Sequence, residues 1–357
     1  MKIRKAALAA VVAGASLTVA ACTSASSTSG GGSSPAASAS GTGSASAQSA
    51  SHITIGFANP QNTQPVIQAF QAALTAAATK AGDKVISLNA ALSVNQQASD
   101  IQTFITDKVN AIVVFPLALP PIQAALNQAR AAGIKLIGWN AILPGATSAA
   151  PFDANLDQGI IVNGAKDAAT YVSTALKGKG NVLGINIGAP VPSLDAMVGN
   201  YKSDVTSGNP GIKWLETATD ATDSLSGGQV AAQDAITRYH GNIQAVMSYT
   251  DEAAIGAYNA LKTAGIKNVV IVGQQGNQDG INAIKSGEIQ GDIDVQPWKQ
   301  ALYALKMAQD LTSGQSVPAN VEYPAVFVTK DNLSSYVPWD TAIQEITSGS
   351  MSLSVSF

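Results

Sequence analysis

The 357-residue chain is long enough for about two domains, and 46% hydrophobic against 12% charged residues gives material for sizeable cores and too little charge for a disordered polyelectrolyte. Lys and Arg number 20 against 23 Asp and Glu, so the net charge of −3 offers no basic field to hold nucleic acid. One cysteine and two histidines exclude an intrachain disulfide framework and nearly exclude a thiolate or Cys/His zinc site; no long apolar stretch beyond the N-terminus allows a multi-span membrane protein.

Lys2, Arg4 and Lys5 precede an uncharged run over 6–21, the pattern of a secretory signal peptide. The run ends in Leu17-Thr18-Val19-Ala20-Ala21-Cys22, which resembles the lipobox of bacterial lipoproteins, where small residues precede a cysteine that becomes acylated and N-terminal. Residues 23–51 are almost wholly Ser, Ala, Gly and Thr, a flexible tether with a root-mean-square reach of about 30 Å. The expected location is outside the bacterial cell membrane, with Cys22 as lipid anchor and the membrane touched through that anchor only.

Short apolar runs then alternate with stretches of helical period. Strands are expected over 52–57, 85–88, 111–115 and 135–139, with helices over 65–81, 96–108 and 122–132 between them. The pattern restarts with a helix over 158–176. Strands at 181–187, 212–216, 244–247, 268–272 and 289–295 alternate with helices at 194–207, 226–239, 252–264, 280–286 and 298–311. Such alternation implies parallel sheets covered on both faces, and two rounds of it imply two similar doubly wound α/β lobes.

In open parallel sheets, ligands bind beyond the carboxyl ends of the strands. The residues standing there include Asn62 and Gln64 after the first strand, and Trp139 and Asn140 after the fourth. Asp195, then Tyr249 and Thr250, then Gln275, and finally Gln296 and Trp298 follow in the second half. The set is rich in side-chain amides and aromatics and poor in nucleophile–base pairs. Amides both donate and accept, as a sugar hydroxyl does, and aromatic rings pack on a sugar's C–H face. For Trp139, Tyr249 and Trp298 the competing reading is core packing.

An ordered set of segments stands out: 65–82, Asn110-Ala-Ile-Val-Val-Phe-Pro116, 131–137, Asp251-Glu-Ala-Ala-Ile-Gly-Ala257, Ile271-Val-Gly-Gln-Gln-Gly276 and the approach through 284–290 to Gln296. By this set, residues 52 to about 330 resemble the periplasmic ribose-type sugar-binding proteins of bacterial ABC importers, which share their fold with sugar-responsive repressors. The resemblance implies a periplasmic binding protein of type I, with one lobe over 52–155 plus 297–327 and the other over 156–296 plus 328–357. Crossings near Asp153, Gln296 and Val328 would act as hinges. It also implies a sugar contact set in which Gln64 and Asn140 face Asp195, Thr250 and Gln275, with Gln296 at the hinge. Two arginines and two carboxylates of the ribose pattern are missing here, which leaves the sugar's identity open and admits a polyol. The implied partners are a small neutral polyhydroxylated ligand and ABC permease subunits, with the chain a monomer and no cofactor or metal.

Rival readings are weaker on the residues themselves. His52 and His240 lack triad partners, and Ser193 lacks a nucleophile elbow. Asp251-Glu252 could pair as acid and base, but fits the first turn of a helix, where carboxylates meet the positive dipole end. Gly273 to Gly276 is neither a dinucleotide fingerprint nor a P-loop. A transcription regulator is disfavoured by the secretion signal, and an extracellular sensor for a similar solute is the alternative to transport.

Overall fold

The alternation resolves into two six-stranded sheets in the computed structural model, which describes residues 52–143 and 151–357. The signal peptide, Cys22 and the tether lie outside the described residues. The first half contains β1 (Thr54–Asn59), α1 (Pro65–Ala81), β2 (Lys84–Asn89), α2 (Val94–Thr106), β3 (Ala111–Val114), α3 (Leu119–Ala131), β4 (Lys135–Trp139) and β5 (Ala154–Asp157). The second contains α4 (Ala165–Ala175), β6 (Lys179–Ile187), α5 (Pro192–Thr206), β7 (Gly211–Asp220), α6 (Leu225–Arg238), β8 (Ala245–Ser248), α7 (Asp251–Thr263), β9 (Val270–Gln275), α8 (Gln278–Ser286) and β10 (Gly291–Asp294). Then come α9 (Pro297–Thr312), β11 (Asn320–Glu322), β12 (Val326–Thr329) and α10 (Trp339–Ser348).

The first sheet runs β11-β5-β4-β3-β1-β2 and is parallel throughout. The second runs β12-β10-β9-β8-β6-β7 and is parallel except for β12. In each sheet the strand order reverses beside the first strand of its lobe, which opens a crevice at the carboxyl ends. Local chemistry sets the helices. In α1, Pro65 occupies the first turn, Val66, Ile67, Phe70, Ala73, Leu74 and Ala77 are buried on one stripe, and Gly82 closes the helix at φ 85°. Ser93, Ser224, Thr250 and Asn277 cap α2, α6, α7 and α8 with their side chains.

The elements after α9, namely β11, β12 and α10, were absent from the sequence expectation, and two earlier strands differ from it. β5 carries the polar Asn155, so it lacks an apolar run. Asn155 is nonetheless fully buried: its Oδ1 accepts from the Ala141 and Ile142 N–H groups, and its Nδ2 donates to Asn320. β7 extends to Asp220, past its expected end at 216, because an edge strand needs apolar side chains on one face only. Trp214 of β7 lies over Gly184 of β6, where a Cβ would stand 2.1 Å from the indole.

The chain leaves the first sheet after Asp157, returns at Val295–Gln296, leaves again between Glu322 and Val326, and returns before α10. The sequence expectation puts 328–357 with the second lobe. β12 does pair there, but α10 packs on α1 and α9, and Lys80 Nζ donates to the Thr347 carbonyl at 3.3 Å. The buried Trp339, Ala342 and Ile346 of α10 therefore complete the first lobe. At the first crossing Gly159 has φ 68°, and a Cβ there would meet the third crossing at 3.0 Å from Pro324 Cα. Glycine lets these two connections run side by side. Among the described residues no helix is long and apolar enough to cross a membrane.

Candidate functional site

The carboxyl ends of the two sheets face each other across a narrow cavity of about 60 Å³. From the first lobe, Gln61 and Gln64 come from the loop between β1 and α1, Phe115 and Leu117 from the end of β3, and Gln158 from the end of β5. From the second, Asp223 comes from the loop after β7, Tyr249 and Thr250 follow β8, and Gln274 and Gln275 end β9. Ile160, Ile187, Val191 and Leu194 supply apolar wall.

The loops are braced before they meet. Asn59 Oδ1 accepts the Gln61 N–H at 2.8 Å, turning the chain out of β1. Gln97, fully buried, donates to the Phe115 carbonyl at 2.8 Å and accepts the Leu117 N–H at 3.0 Å, fixing the wall beyond β3. Asp220 accepts the N–H groups of Thr222 and Ser224, both at 3.0 Å, and so folds the loop that presents Asp223.

The lobes then touch directly. Gln275 Nε2 donates to Gln64 Oε1 at 3.0 Å, and Gln64 Nε2 donates to the Asp223 carbonyl at 3.1 Å. Gln61 Nε2 donates to Asp223 Oδ2. The Tyr249 hydroxyl lies 2.8 Å from Asp223 Oδ1 and 2.9 Å from Asp220 Oδ2. Asn140, Asp223, Gln275 and Gln296 all hold positive φ, at 51°, 50°, 134° and 47°. Such backbone costs about 1–3 kcal/mol per residue and persists where surrounding structure enforces it, commonly at binding sites.

Burial pushes the Asp223 carboxyl up, against the hydrogen bonds from Gln61 and Tyr249 that hold it down. Burial also drives the Tyr249 phenol far above its usual range, with Asp223 and Asp220 adding to the effect. Behind the cavity wall, burial and the neighbouring Asp292 hold Asp251 well above the carboxylate range. Burial lifts Glu252 to about 7, Asp292 to about 6 and Asp294 to about 7. Asp251 and Glu252 stand in the first turn of α7 and brace the loop after β9: Asp251 Oδ2 accepts the Asn277 N–H at 2.9 Å, and Glu252 Oε1 accepts from Asn277 Nδ2 at 2.8 Å.

The sequence-derived candidates separate into three groups. Gln64, Tyr249, Thr250 and Gln275 line the cavity. Asn140, Asp195 and Gln296 sit one step back. Asn140 Oδ1 accepts the Gln158 N–H at 2.9 Å and its amide donates to Gln158 Oε1; Asp195 is exposed and accepts from Asn186 at 2.7 Å; Gln296 accepts the Tyr323 hydroxyl at 2.8 Å beside the crossing. Asn62, Trp139 and Trp298 are away from the cavity. Asn62 is exposed and accepts from Asn59. Trp139 is fully buried, stacks on Phe70 with centroids 3.9 Å apart and donates to Gln300 at 2.7 Å. Trp298 is buried in the same core. Both tryptophans are buried in the hydrophobic core, and neither lines the cavity.

Besides the aliphatic wall, six of the lining residues named above stood outside the sequence-derived candidates: Gln61, Phe115, Leu117, Gln158, Asp223 and Gln274. Each lies within three residues of a strand's carboxyl end, so the carboxyl-end rule reaches them once β5 and the full length of β7 are in place. Among the described residues no group of three or more His, Cys, Asp or Glu side chains is arranged to hold a metal ion.

Residues 55–316 match the family model for a periplasmic binding protein domain. The chain is 24% identical over 286 residues to the ribose import binding protein of Bacillus subtilis, covering 78% of this chain and 87% of that one. It is 29% identical over 255 residues to the xylitol-binding protein of Mycolicibacterium smegmatis, covering 71% and 69%. Its fold matches an ABC transporter periplasmic solute binding protein of Actinobacillus succinogenes solved with D-allose, at a TM-score of 0.72 and 23% identity, over 80% of this chain and 99% of that one.

Proposed function

We propose that this chain, which belongs to the periplasmic binding protein domain family, is an extracytoplasmic receptor that captures a sugar or polyol between its lobes and delivers it to an ABC permease. The observation that carries the reading is the convergence of Gln61 and Gln64 from one lobe with Gln275 and Asp223 from the other inside a single cavity with apolar walls. Amides and a carboxylate answer hydroxyl groups, and the aliphatic wall with Phe115 suits a C–H face. The named ligands of the relatives, ribose and xylitol, support the same class.

The mechanism is hinge closure. A few polar contacts join the lobes across the cavity, and a ligand's hydroxyls compete for the same groups. A ligand that bridges both lobes favours the shut form by its differential affinity. The crossings at Asp157–Gly159, Val295–Gln296 and 323–325 form the hinge, and the permease reads the shut form. The chain performs no chemical step on its ligand. Acylation at Cys22 would hold it by the tether at the outward face of the bacterial cell membrane.

The test is a thermal-shift panel of pentoses, hexoses and polyols on the full-length chain. A dose-dependent rise in Tm with at least one member is expected, since ligand at 100 times Kd adds about 2.7 kcal/mol. Absence of any rise, together with turnover of some probe, would reassign the cavity to an enzyme.

A further inference from the structure

The second lobe's side of the cavity has a charge imbalance. Asp220 and Asp223 are 0% and 7% exposed and share one phenol, Tyr249. A phenol has a single proton to donate, so one of the two carboxylates is left at any moment to its other donors, the Thr222 and Ser224 N–H groups for Asp220 and Gln61 for Asp223, all of them uncharged. Asp251 and Glu252 stand behind the same wall, with Asp292 and Asp294 further in. No Lys, Arg or His lines the cavity. Among the described residues the ion pairs are Arg130–Asp153, Arg238–Glu216 and Lys306–Asp310, so none of these six acids has a cationic partner.

A second observation is independent of charge. Gln275, 4% exposed, lines this cavity, and its Oε1 is buried with no hydrogen-bond partner. Its Nε2 is already committed to Gln64. Gln158 and Gln274 also present side-chain amides to the cavity, so hydrogen-bond donors are at hand, but no positive charge stands beside the buried acids. An unpartnered buried acceptor costs about 1–3 kcal/mol, and buried carboxylates favour either a proton or a cation beside them.

A hydroxyl can donate to these acceptors but brings no charge, which leaves the charge imbalance in place. An ammonium brings three donors, no acceptor and a positive charge. We propose that the preferred ligand is an amine-bearing sugar or polyol whose ammonium sits against Asp223, within reach of Gln275 Oε1. This rests on the capture role above and narrows its ligand class. Asp223 is then the specificity-determining residue. Its carboxylate Oδ2, now taken by Gln61, is the acceptor that the ammonium would claim on closure.

The test uses matched probes on the full-length chain at pH 6.5: glucosamine against glucose, galactosamine against galactose, and an aminodeoxyinositol against myo-inositol. N-acetylglucosamine serves as the neutral amide. Calorimetric titration should show at least one amine binding tenfold or more tighter than both its hydroxyl partner and its amide. Asp223→Asn should erase that advantage, with the variant's ligand-free melting curve showing that it folds. Gln61→Ala, which leaves the carboxylate in place, should retain the amine preference. Equal or tighter binding of the neutral partner, or an Asp223→Asn variant that keeps the amine preference, overturns the proposal while leaving sugar capture standing. Binding of no probe overturns the capture reading and the proposal together.

Discussion

Gln275 Nε2 meets Gln64 Oε1 at 3.0 Å, so the end of β9 in one lobe is tied to the N-terminus of α1 in the other. Both side chains are buried, at 4% exposure each. In the closure proposed above, these amides would change partner from each other to the solute.

Gln275→Ala and Gln64→Ala should therefore weaken ligand binding more than they weaken the fold. A buried amide that loses its partner costs about 1–3 kcal/mol, or roughly tenfold to a hundredfold in Kd. Titration calorimetry with whichever sugar or polyol gives the largest thermal shift reads the loss. Unchanged affinity in both variants would remove these amides from the binding set.

Asn140 should behave differently. It holds Gln158 through both its amide groups and sits at φ 51°, a conformation Asn tolerates better than Ala. Asn140→Ala should lower stability by about 1–3 kcal/mol and weaken binding less than Gln275→Ala does. Denaturant unfolding and calorimetry on the same variants separate the two effects.

The alternation of strands and helices was legible because each central strand is a short apolar run, such as Ala111–Val114, and each helix carries a regular buried stripe. β5 was not, because its interior Asn155 is polar for a reason only the fold supplies: it bonds to Ala141, Ile142 and Asn320. That omission hid Gln158, and the early end placed on β7 hid Asp223. The two tryptophans misled in the opposite direction. An indole after a strand end looks the same in sequence whether it turns toward the crevice or, as Trp139 does, back onto Phe57 and Phe70. Gln64 and Gln275 do line the cavity, as their place near strand ends suggested, although that place does not by itself fix which way a side chain turns.

Trp139 is consequently a folding residue. Trp139→Ala should cost about 3–5 kcal/mol, in the range for large-to-small changes in a close-packed core. It would also strand the Gln300 Oε1 acceptor. Trp139→Phe should recover much of the packing but not the hydrogen bond. Denaturant midpoints of the two variants check this order, and the folded fraction of each should keep its ligand affinity.

The buried acids of the second lobe give stability a distinctive pH dependence. Burial raises Glu252 and Asp294 to about 7 and Asp292 to about 6, with Asp251 raised as well. An acid whose folded value is raised binds more protons folded than unfolded in the window between its unfolded and folded values. Stability then falls as pH rises through that window, here from about 4 to about 7, and levels off above it. Tm should therefore decline from pH 5 to pH 8. Asp292→Asn places an uncharged amide beside Asp251 and should flatten the decline, raising Tm at pH 8 relative to the parent. Asp251 and the Gly276 and Ile293 N–H groups face that carboxylate, and an amide oxygen in its place keeps an acceptor toward them. A Tm that climbs between pH 5 and pH 8, or an Asp292→Asn profile parallel to the parent's, would mean that these carboxylates are ionised in the folded chain.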